Sequence, residues 1–258
     1  MEYNNNPYGQ QPQGPREAFP TLWGNQDDLD KATTSCLAKV FMRMFAALLV
    51  TAAVSFGIYN TPAILNYLMT NPVLTLVMIG VQFVLVLILG FRVMKMSSVV
   101  SNVIFFIYAI LMGVTLSFIF ISYEIGTIFY AFAISALMFG AMAIYGTITR
   151  RDLTKIGTFL RMALIGLILA SIVNLFFLND TMFIIINYAG VLIFVGLTAY
   201  DTQRIKNMLA EVNAEKSEVN AESAEEAIKK ISVMGALILY LDFINIFLKI
   251  LAIMGRRR

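Results

Sequence analysis

Long apolar runs separated by short polar stretches are the most regular feature of the chain. Several of these runs exceed 18 residues, and about 20 apolar residues cross the hydrocarbon core of a bilayer as a helix. The runs are continuously apolar and do not alternate, which argues against a membrane β-barrel. The pattern therefore predicts an all-α integral membrane protein with seven transmembrane helices, approximately at residues 40–59, 73–92, 102–122, 126–148, 157–178, 182–203 and 231–255.

The last apolar run, residues 231–255, differs from the others because polar side chains interrupt it. Asp242 lies near its middle. Asn245 and Lys249 follow at helical offsets of three and seven, roughly on one face with Gly235. An ionisable group at bilayer depth costs about 2.5–3.5 kcal/mol on insertion scales. A helix with such a stripe avoids lipid, so we expect six helices to surround a central seventh.

Lys and Arg are absent from three long stretches, residues 44–91, 96–149 and 162–203. Each stretch is long enough for two spans and a turn, and basic residues flank all three. By the positive-inside rule each helical hairpin starts and ends in the cytoplasm, with the N-terminus cytoplasmic and the C-terminus outside. The basic residues 256–258 oppose this bias. A re-entrant last segment, with both of its ends inside, is therefore the alternative to a full span.

Composition divides the chain into a disordered polar tail (1–34), a seven-helix membrane domain (35–255) and a basic C-terminal tail (256–258). The first tail is rich in Asn, Gln, Pro and Gly, a composition that does not bury a core. Within the domain, residues 207–230 form a charged cytoplasmic connector that is rich in Ala and Glu and therefore helix-prone. We interpret it as a solvated helical connector, and the alternative is an acidic arm for a partner or for cations.

The overall composition excludes an ordinary soluble domain, since 59% of the 258 residues are hydrophobic and 14% are charged. A single cysteine, Cys36, excludes an intramolecular disulfide and a Cys-rich metal site. The chain has no histidine, so the usual proton shuttle is missing. The seven segments contain no nucleophile–base pair, Gly-rich phosphate loop or metal constellation. We therefore expect neither enzymatic activity nor a tightly bound cofactor.

Two acidic residues within the apolar segments are the candidates for chemistry, Asp201 in span six and Asp242 in span seven. Consecutive spans are usually neighbours, and two carboxyls in one low-dielectric pocket cannot both ionise cheaply. Such a pair would share a proton and would sense pH without a histidine. Asp201 lies shallower by about 6–10 Å at 1.5 Å per residue, so helix tilt or a water-filled vestibule would have to bring the pair together. The alternative for Asp201 is a solvated helix end.

A basic residue beside either aspartate would hold its charge and keep the site closed. The candidates at the predicted cytoplasmic ends are Arg92, Lys95, Arg161 and Arg204.

An intramembrane aspartyl protease is a further class with an aspartate on each of two consecutive spans. The second motif of those enzymes is Gly-x-Gly-Asp, which lets the substrate backbone approach closely. Here Leu239 and Leu241 stand where the two glycines belong, so we do not expect proteolysis.

Four stretches resemble the motifs of the Bax inhibitor-1 family, also called the transmembrane Bax inhibitor motif family. They are GVTLSFIF (113–120), YGTITRRDLTKIG (145–157), LTAYDTQRIK (197–206) and ALILYLDFINIFLKIL (236–251). The resemblance covers about residues 35–255, and bacterial members are similar in length. It implies seven spans with six around a central seventh, and a pH-dependent calcium leak across the membrane.

In that family two aspartates hydrogen-bond to each other near the cytoplasmic side, and by motif they match Asp201 and Asp242. The resemblance also implies a basic lock at the end of the second span, for which Arg92 and Lys95 are the candidates. We also expect Tyr200 and Asn245 to support the aspartate pair as polar neighbours. Calcium would contact the two aspartates only transiently.

Two functions follow as expectations. The first is a pH-sensitive calcium leak of the bacterial inner membrane, gated by the aspartate pair. The second is a non-conducting regulator that binds another membrane protein, since the resemblance to some bacterial relatives implies restraint of a membrane-bound AAA protease. The expected partners are the lipid bilayer, calcium, protons and a membrane protein, and not nucleic acid.

Overall fold

A computed structural model describes residues 26–215 and 221–255 of the chain. These residues form nine α-helices and one 3-10 turn, without a strand among them. The elements are α1 (Gln26–Tyr59), α2 (Pro62–Thr70), α3 (Pro72–Arg92), the turn Val93–Lys95, α4 (Ser98–Leu116), α5 (Ile119–Ser122), α6 (Ile125–Ile148), α7 (Thr154–Phe177), α8 (Asp180–Glu215) and α9 (Ala221–Met254).

Seven of the described helical segments are long and apolar enough to cross a membrane, which confirms the predicted all-α membrane fold. They correspond to α1, α3, α4, α6, α7, α8 and α9, in the predicted order. α2 occupies the predicted turn between the first two spans and begins with Pro62 at its first position, where a missing N–H costs nothing.

Because successive spans run in opposite directions, the chain alternates between two ends of the bundle. The end at which α1 begins and α9 begins is called the basic end below, and the other is called the far end.

The boundaries at the basic end differ from the prediction. α1 already begins at Gln26, so residues 26–34 of the predicted tail are helical, and Thr33 is buried. Residues 1–25, 216–220 and 256–258 lie outside the described residues. The predicted tails and the centre of the predicted connector fall largely within these segments.

The two described parts of the connector are helical, because α8 continues to Glu215 and α9 starts at Ala221. The part in α8 is not uniformly solvated as predicted. Leu209 is fully buried, and the amide of Asn213 reaches the Thr33 hydroxyl of α1 at 3.5 Å. Apolar residues at helical spacing in this segment pack on the early start of α1, which explains both extensions.

The last span, α9, is the centre of the bundle. More of its apolar stretch is buried than that of any other span, and Leu239, Tyr240 and Ile246 are completely enclosed. It packs directly on α1, α4, α6 and α8. The helices α3 and α7 lie further out, against α4 and α8, respectively. The arrangement is therefore a central helix with four direct neighbours and two outer helices.

Candidate functional site

The register between α8 and α9 decides whether the two aspartates meet. The helices run antiparallel, and two glycines mark where they touch. A β-carbon at Gly190 of α8 would lie 3.1 Å from Lys249 Cε of α9, and one at Gly235 of α9 would lie 3.0 Å from Ile205 Cγ2 of α8. In this antiparallel register, moving one residue forward along α8 corresponds to moving one residue backward along α9.

This register places Asp201 level with Leu239, and Asp242 lies three residues further along α9. At 1.5 Å per residue the offset is about 4.5 Å, less than one helical turn. This offset is smaller than the predicted 6–10 Å, because the register of the two helices brings Asp201 within one turn of Asp242. The helix α8 continues to Glu215, which places Asp201 well inside the helix and not at its end.

The two carboxyl groups lie close enough to interact electrostatically. Both side chains are buried, with 9% of Asp201 and 5% of Asp242 exposed. No hydrogen bond joins them among the described residues, and Asp242 Oδ2 has no hydrogen-bond partner there. A buried oxygen without a partner costs about 1–3 kcal/mol, and more if it carries charge. The site therefore combines proximity with an unmet hydrogen-bonding capacity.

Two arginines, Arg161 of α7 and Arg204 of α8, lie within electrostatic range of Asp201. The Arg161 guanidinium donates a hydrogen bond to the Tyr200 hydroxyl, and its Cζ lies 4.7 Å from the centre of the Tyr200 ring. That ring is buried against Gly157 of α7, where a β-carbon would overlap it. The predicted supporting residue Tyr200 therefore connects α7 with the aspartate site.

Arg92 and Lys95, the candidates for a basic lock, are not beside the aspartates in this structure. Both side chains are exposed at the end of α3 and in the turn that follows. This turn packs on the start of α9, where Lys230 Nζ donates to the carbonyl oxygen of Met94 at 3.4 Å. Lys230 precedes Asp242 by twelve residues, or about 18 Å of helix. A lock by either residue stays a prediction about another state of the protein.

The other predicted polar residue, Asn245, is half-buried and satisfied within its own helix. Its amide donates to the carbonyl oxygen of Leu241 at 2.8 Å. The described residues contain no cluster of three or more His, Cys, Asp or Glu side chains that could hold a metal. Calcium takes six to eight oxygen ligands, so Asp201 and Asp242 alone would bind it weakly.

A clamp just beyond the aspartate site was missed by the sequence analysis. Gln203, two residues after Asp201, accepts from Leu153 N at 2.9 Å and donates to the carbonyl oxygen of Arg151 at 2.8 Å. Lys206 donates to the carbonyl oxygen of Thr147 at 2.9 Å, at the end of α6. The α6–α7 loop is thus fastened to α8 beside the site. The sequence feature that could have revealed this clamp is the run of polar residues directly after the apolar part of span six.

The fastened loop also has its own internal support. Asp152 accepts hydrogen bonds from the hydroxyl and the backbone N–H of Thr154, at 2.6 and 2.9 Å. These bonds lower the pKa of the exposed Asp152 carboxyl, and the nearby Lys155 acts in the same direction. Asp152 is therefore a negative charge immediately before α7, where the dipole of the helix favours it.

Fold and site together define a helical membrane protein with a buried carboxylate pair between its last two spans. The family model described as "Inhibitor of apoptosis-promoting Bax1" matches residues 33–258. The chain belongs to the Bax inhibitor-1 family, which confirms the resemblance seen in its motifs.

Individual relatives agree with this assignment. The "Inner membrane protein YbhL" of Escherichia coli strain K12 is 42% identical over 86% of this chain and 92% of its own length. A protein of Borreliella burgdorferi is 39% identical with the same coverage. A protein of Rickettsia prowazekii is 34% identical over 92% of this chain and 96% of its own length.

Proposed function

We propose that the protein is a calcium leak of the bacterial inner membrane whose opening depends on the protonation of Asp201 and Asp242. The observation that supports this best is the approach of two buried carboxyls from adjacent antiparallel helices. Like charges in a low-dielectric interior repel strongly, so the packed state favours at least one neutral carboxyl.

The surroundings of the pair indicate which carboxyl holds the proton. Arg161 and Arg204 favour a charged Asp201. Asp242 lies deeper, and its Oδ2 has no partner among the described residues. In the proposed closed state Asp201 is therefore charged and Asp242 is neutral. As the pH rises Asp242 ionises, repulsion loosens the contact between α8 and α9, and conduction increases from acidic to neutral pH.

The proposed test is calcium flux into liposomes that contain the purified protein, measured with a trapped calcium dye from pH 5 to 8. We expect flux to rise with pH and to saturate. The double variant Asp201→Asn, Asp242→Asn should lose this transition, because the chain has no histidine to replace it. Asp180→Asn is the matched control, since Asp180 is exposed at the far end. No flux, or an unchanged transition in the double variant, would contradict the proposal.

For the orientation, we propose that the basic end faces the cytoplasm and that the C-terminus lies outside. The distribution of Lys and Arg supports this, and the E. coli relative is named an inner membrane protein. A periplasmic reporter fused after Arg258 should be active and a cytoplasmic reporter inactive. The reverse result would favour the re-entrant alternative for the last segment.

A second candidate function is a non-conducting regulator that binds a membrane protein, such as a membrane-bound AAA protease. It is favoured by an apolar groove of about 400 Å³ between α1 and α6, which both pack on α9. Exposed aromatic residues of α6, Phe129 and Phe132, form one wall. Ala52→Trp, which fills the groove from α1, should then abolish partner binding, and the purified protein should give no flux.

A further inference from the structure

A second pocket lies at the basic end, away from the aspartates. It has a volume of about 250 Å³ and is bounded by α1, α8 and the first turns of α9. Its lining includes the three cationic residues Lys39, Arg43 and Lys229, one carboxylate, Glu225, and the hydroxyl residue Ser35. The proposed leak does not use these side chains.

The charges in this pocket are not balanced. Lys229 Nζ lies 3.8 Å from a carboxylate oxygen of Glu225, and both side chains are more than half exposed. Among the described residues, Arg43 and Lys39 form no ion pair with a carboxylate. Arg43 is half-buried and donates through Nη1 to the carbonyl oxygen of Lys229 at 3.4 Å. A guanidinium has five N–H donors, so Arg43 keeps donors for a further acceptor.

The depth of the pocket indicates what the acceptor is. Lys229 precedes Met254, the far end of α9, by 25 residues, or about 38 Å of helix at 1.5 Å per residue. The hydrocarbon core of a bilayer is about 30 Å thick, and the headgroups extend the total to about 40–45 Å. With Met254 taken as the far edge of the hydrocarbon, the unbalanced cations lie just beyond its other edge, at the level of the lipid phosphates.

We infer that this pocket binds a phosphate group, with Arg43 as the directional donor and Lys39 and Lys229 as point charges. Arginine pairs with phosphate through parallel N–H···O bonds, and lysine adds charge without a fixed direction. The depth favours the headgroup of an anionic phospholipid, and free phosphate is the other source of the same chemistry. The inference does not depend on calcium conduction.

The test is calorimetric titration of the full-length protein in detergent with three probes. These are dioctanoyl phosphatidylglycerol, the zwitterionic dioctanoyl phosphatidylcholine and inorganic phosphate. We expect phosphatidylglycerol to bind more tightly than phosphatidylcholine, whose choline cation the pocket repels. Tighter binding of inorganic phosphate than of the lipid would assign the pocket to free phosphate instead.

The variants distinguish binding in the pocket from a general electrostatic attraction of anions to the basic end. Arg43→Gln should weaken phosphatidylglycerol binding about 10-fold or more, as expected for a charged hydrogen bond. Lys39→Gln should weaken it about 5-fold, the effect of one cation near a membrane surface. Arg150→Gln is the matched control, because Arg150 is exposed in the α6–α7 loop at the same end. It should leave the affinity unchanged.

Glu225→Gln should change the affinity in the opposite direction. Because misfolding would not tighten binding, this variant separates a loss of the pocket from a loss of the fold. It removes the competing carboxylate from an exposed position, so phosphatidylglycerol should bind several-fold more tightly. Absence of binding for both phosphate probes would overturn the inference. So would equal losses in Arg43→Gln and Arg150→Gln, or weaker binding in Glu225→Gln.

Discussion

Tyr240 and Asp242 are two residues apart on the central helix, and their surroundings are opposites. The Tyr240 hydroxyl lies 2.7 Å from Thr51 Oγ1, which donates to the carbonyl oxygen of Ala109 at 2.9 Å. The Tyr240 ring makes edge contacts with Phe105 and Tyr108. Every polar atom of this side chain is satisfied, and the chain of hydrogen bonds connects α9, α1 and α4.

The Oδ2 atom of Asp242, in contrast, has no hydrogen-bond partner among the described residues, although this side chain is almost as deeply buried as that of Tyr240. The carboxyl group of Asp201 lies within electrostatic range of it. The comparison shows that neighbouring helices supply partners for one buried polar side chain of this helix and leave an oxygen of the other without one. Tyr240 is therefore a structural anchor, and the unmet oxygen at Asp242 is the feature on which the proposed protonation step depends.

The largest expected effect is at the anchor. Tyr240→Ala should lower the free energy of unfolding by about 3–5 kcal/mol, because it opens a cavity at the centre of the bundle. The measurement is thermal or denaturant unfolding in detergent. Tyr188→Ala is the matched control, since Tyr188 is 56% exposed on α8, and it should have little effect. Equal losses would mean that Tyr240 is not an anchor.

At the aspartate the effect should depend on pH. If Asp242 is neutral in the folded bundle, as proposed, parental stability should fall as the pH rises above the ordinary aspartate pKa of about 3.9, until Asp242 ionises in the folded bundle as well. One proton corresponds to a slope of at most about 1.4 kcal/mol per pH unit. Asp242→Asn should flatten this slope, and Asp180→Asn should retain it. A slope that survives in Asp242→Asn would assign the titration to another group.

A smaller effect is expected at the contact that seats Tyr200 beside the aspartates. Gly157→Ala would push a β-carbon into the Tyr200 ring and should cost about 1–3 kcal/mol of stability. It should also shift the pH dependence of flux, because Arg161 bonds to the displaced hydroxyl. The control is Gly166→Ala on the same helix, which meets no atom within 4 Å and should be neutral.

The smallest effect is expected in the α6–α7 loop. Hydrogen bonds from Thr154 lower the pKa of Asp152, so they stabilise the fold above the ordinary aspartate pKa of about 3.9. That contribution is lost as the pH falls through the lowered pKa. Asp152→Asn should therefore reduce the melting temperature slightly at pH 7, and the difference should vanish in strong acid. A difference that grows in acid would contradict this assignment.

The spans and the buried pair were predictable because both signals are local. Apolar length predicted seven helices, and Asp242 within such a run predicted that α9 is central. The helix ends at Gln26 and Glu215 were not predictable in this way, since polar segments become helical there through packing of α8 on α1. The extension of α8 means that Asp201 lies inside a helix and not at a helix end.

The basic neighbours of the pair were the least predictable part. Four cations were candidates, and their choice depends on how outer helices pack. Gly157 seats α7 against Tyr200, which places Arg161 at the site, whereas the turn after α3 packs on α9 near Lys230. Such contacts join residues far apart in sequence, and hydrophobic periodicity carries no information about them.

The length of α8 has a mechanical consequence. From Asp201 the helix continues unbroken for 14 residues to Glu215, or about 21 Å. A rigid rod that pivots at the aspartates by about 10° moves its tip by roughly 3–4 Å over that length. Under the proposed gating, a protonation event inside the bundle would become a displacement at the surface, and α1, which contacts this part of α8, would receive the force.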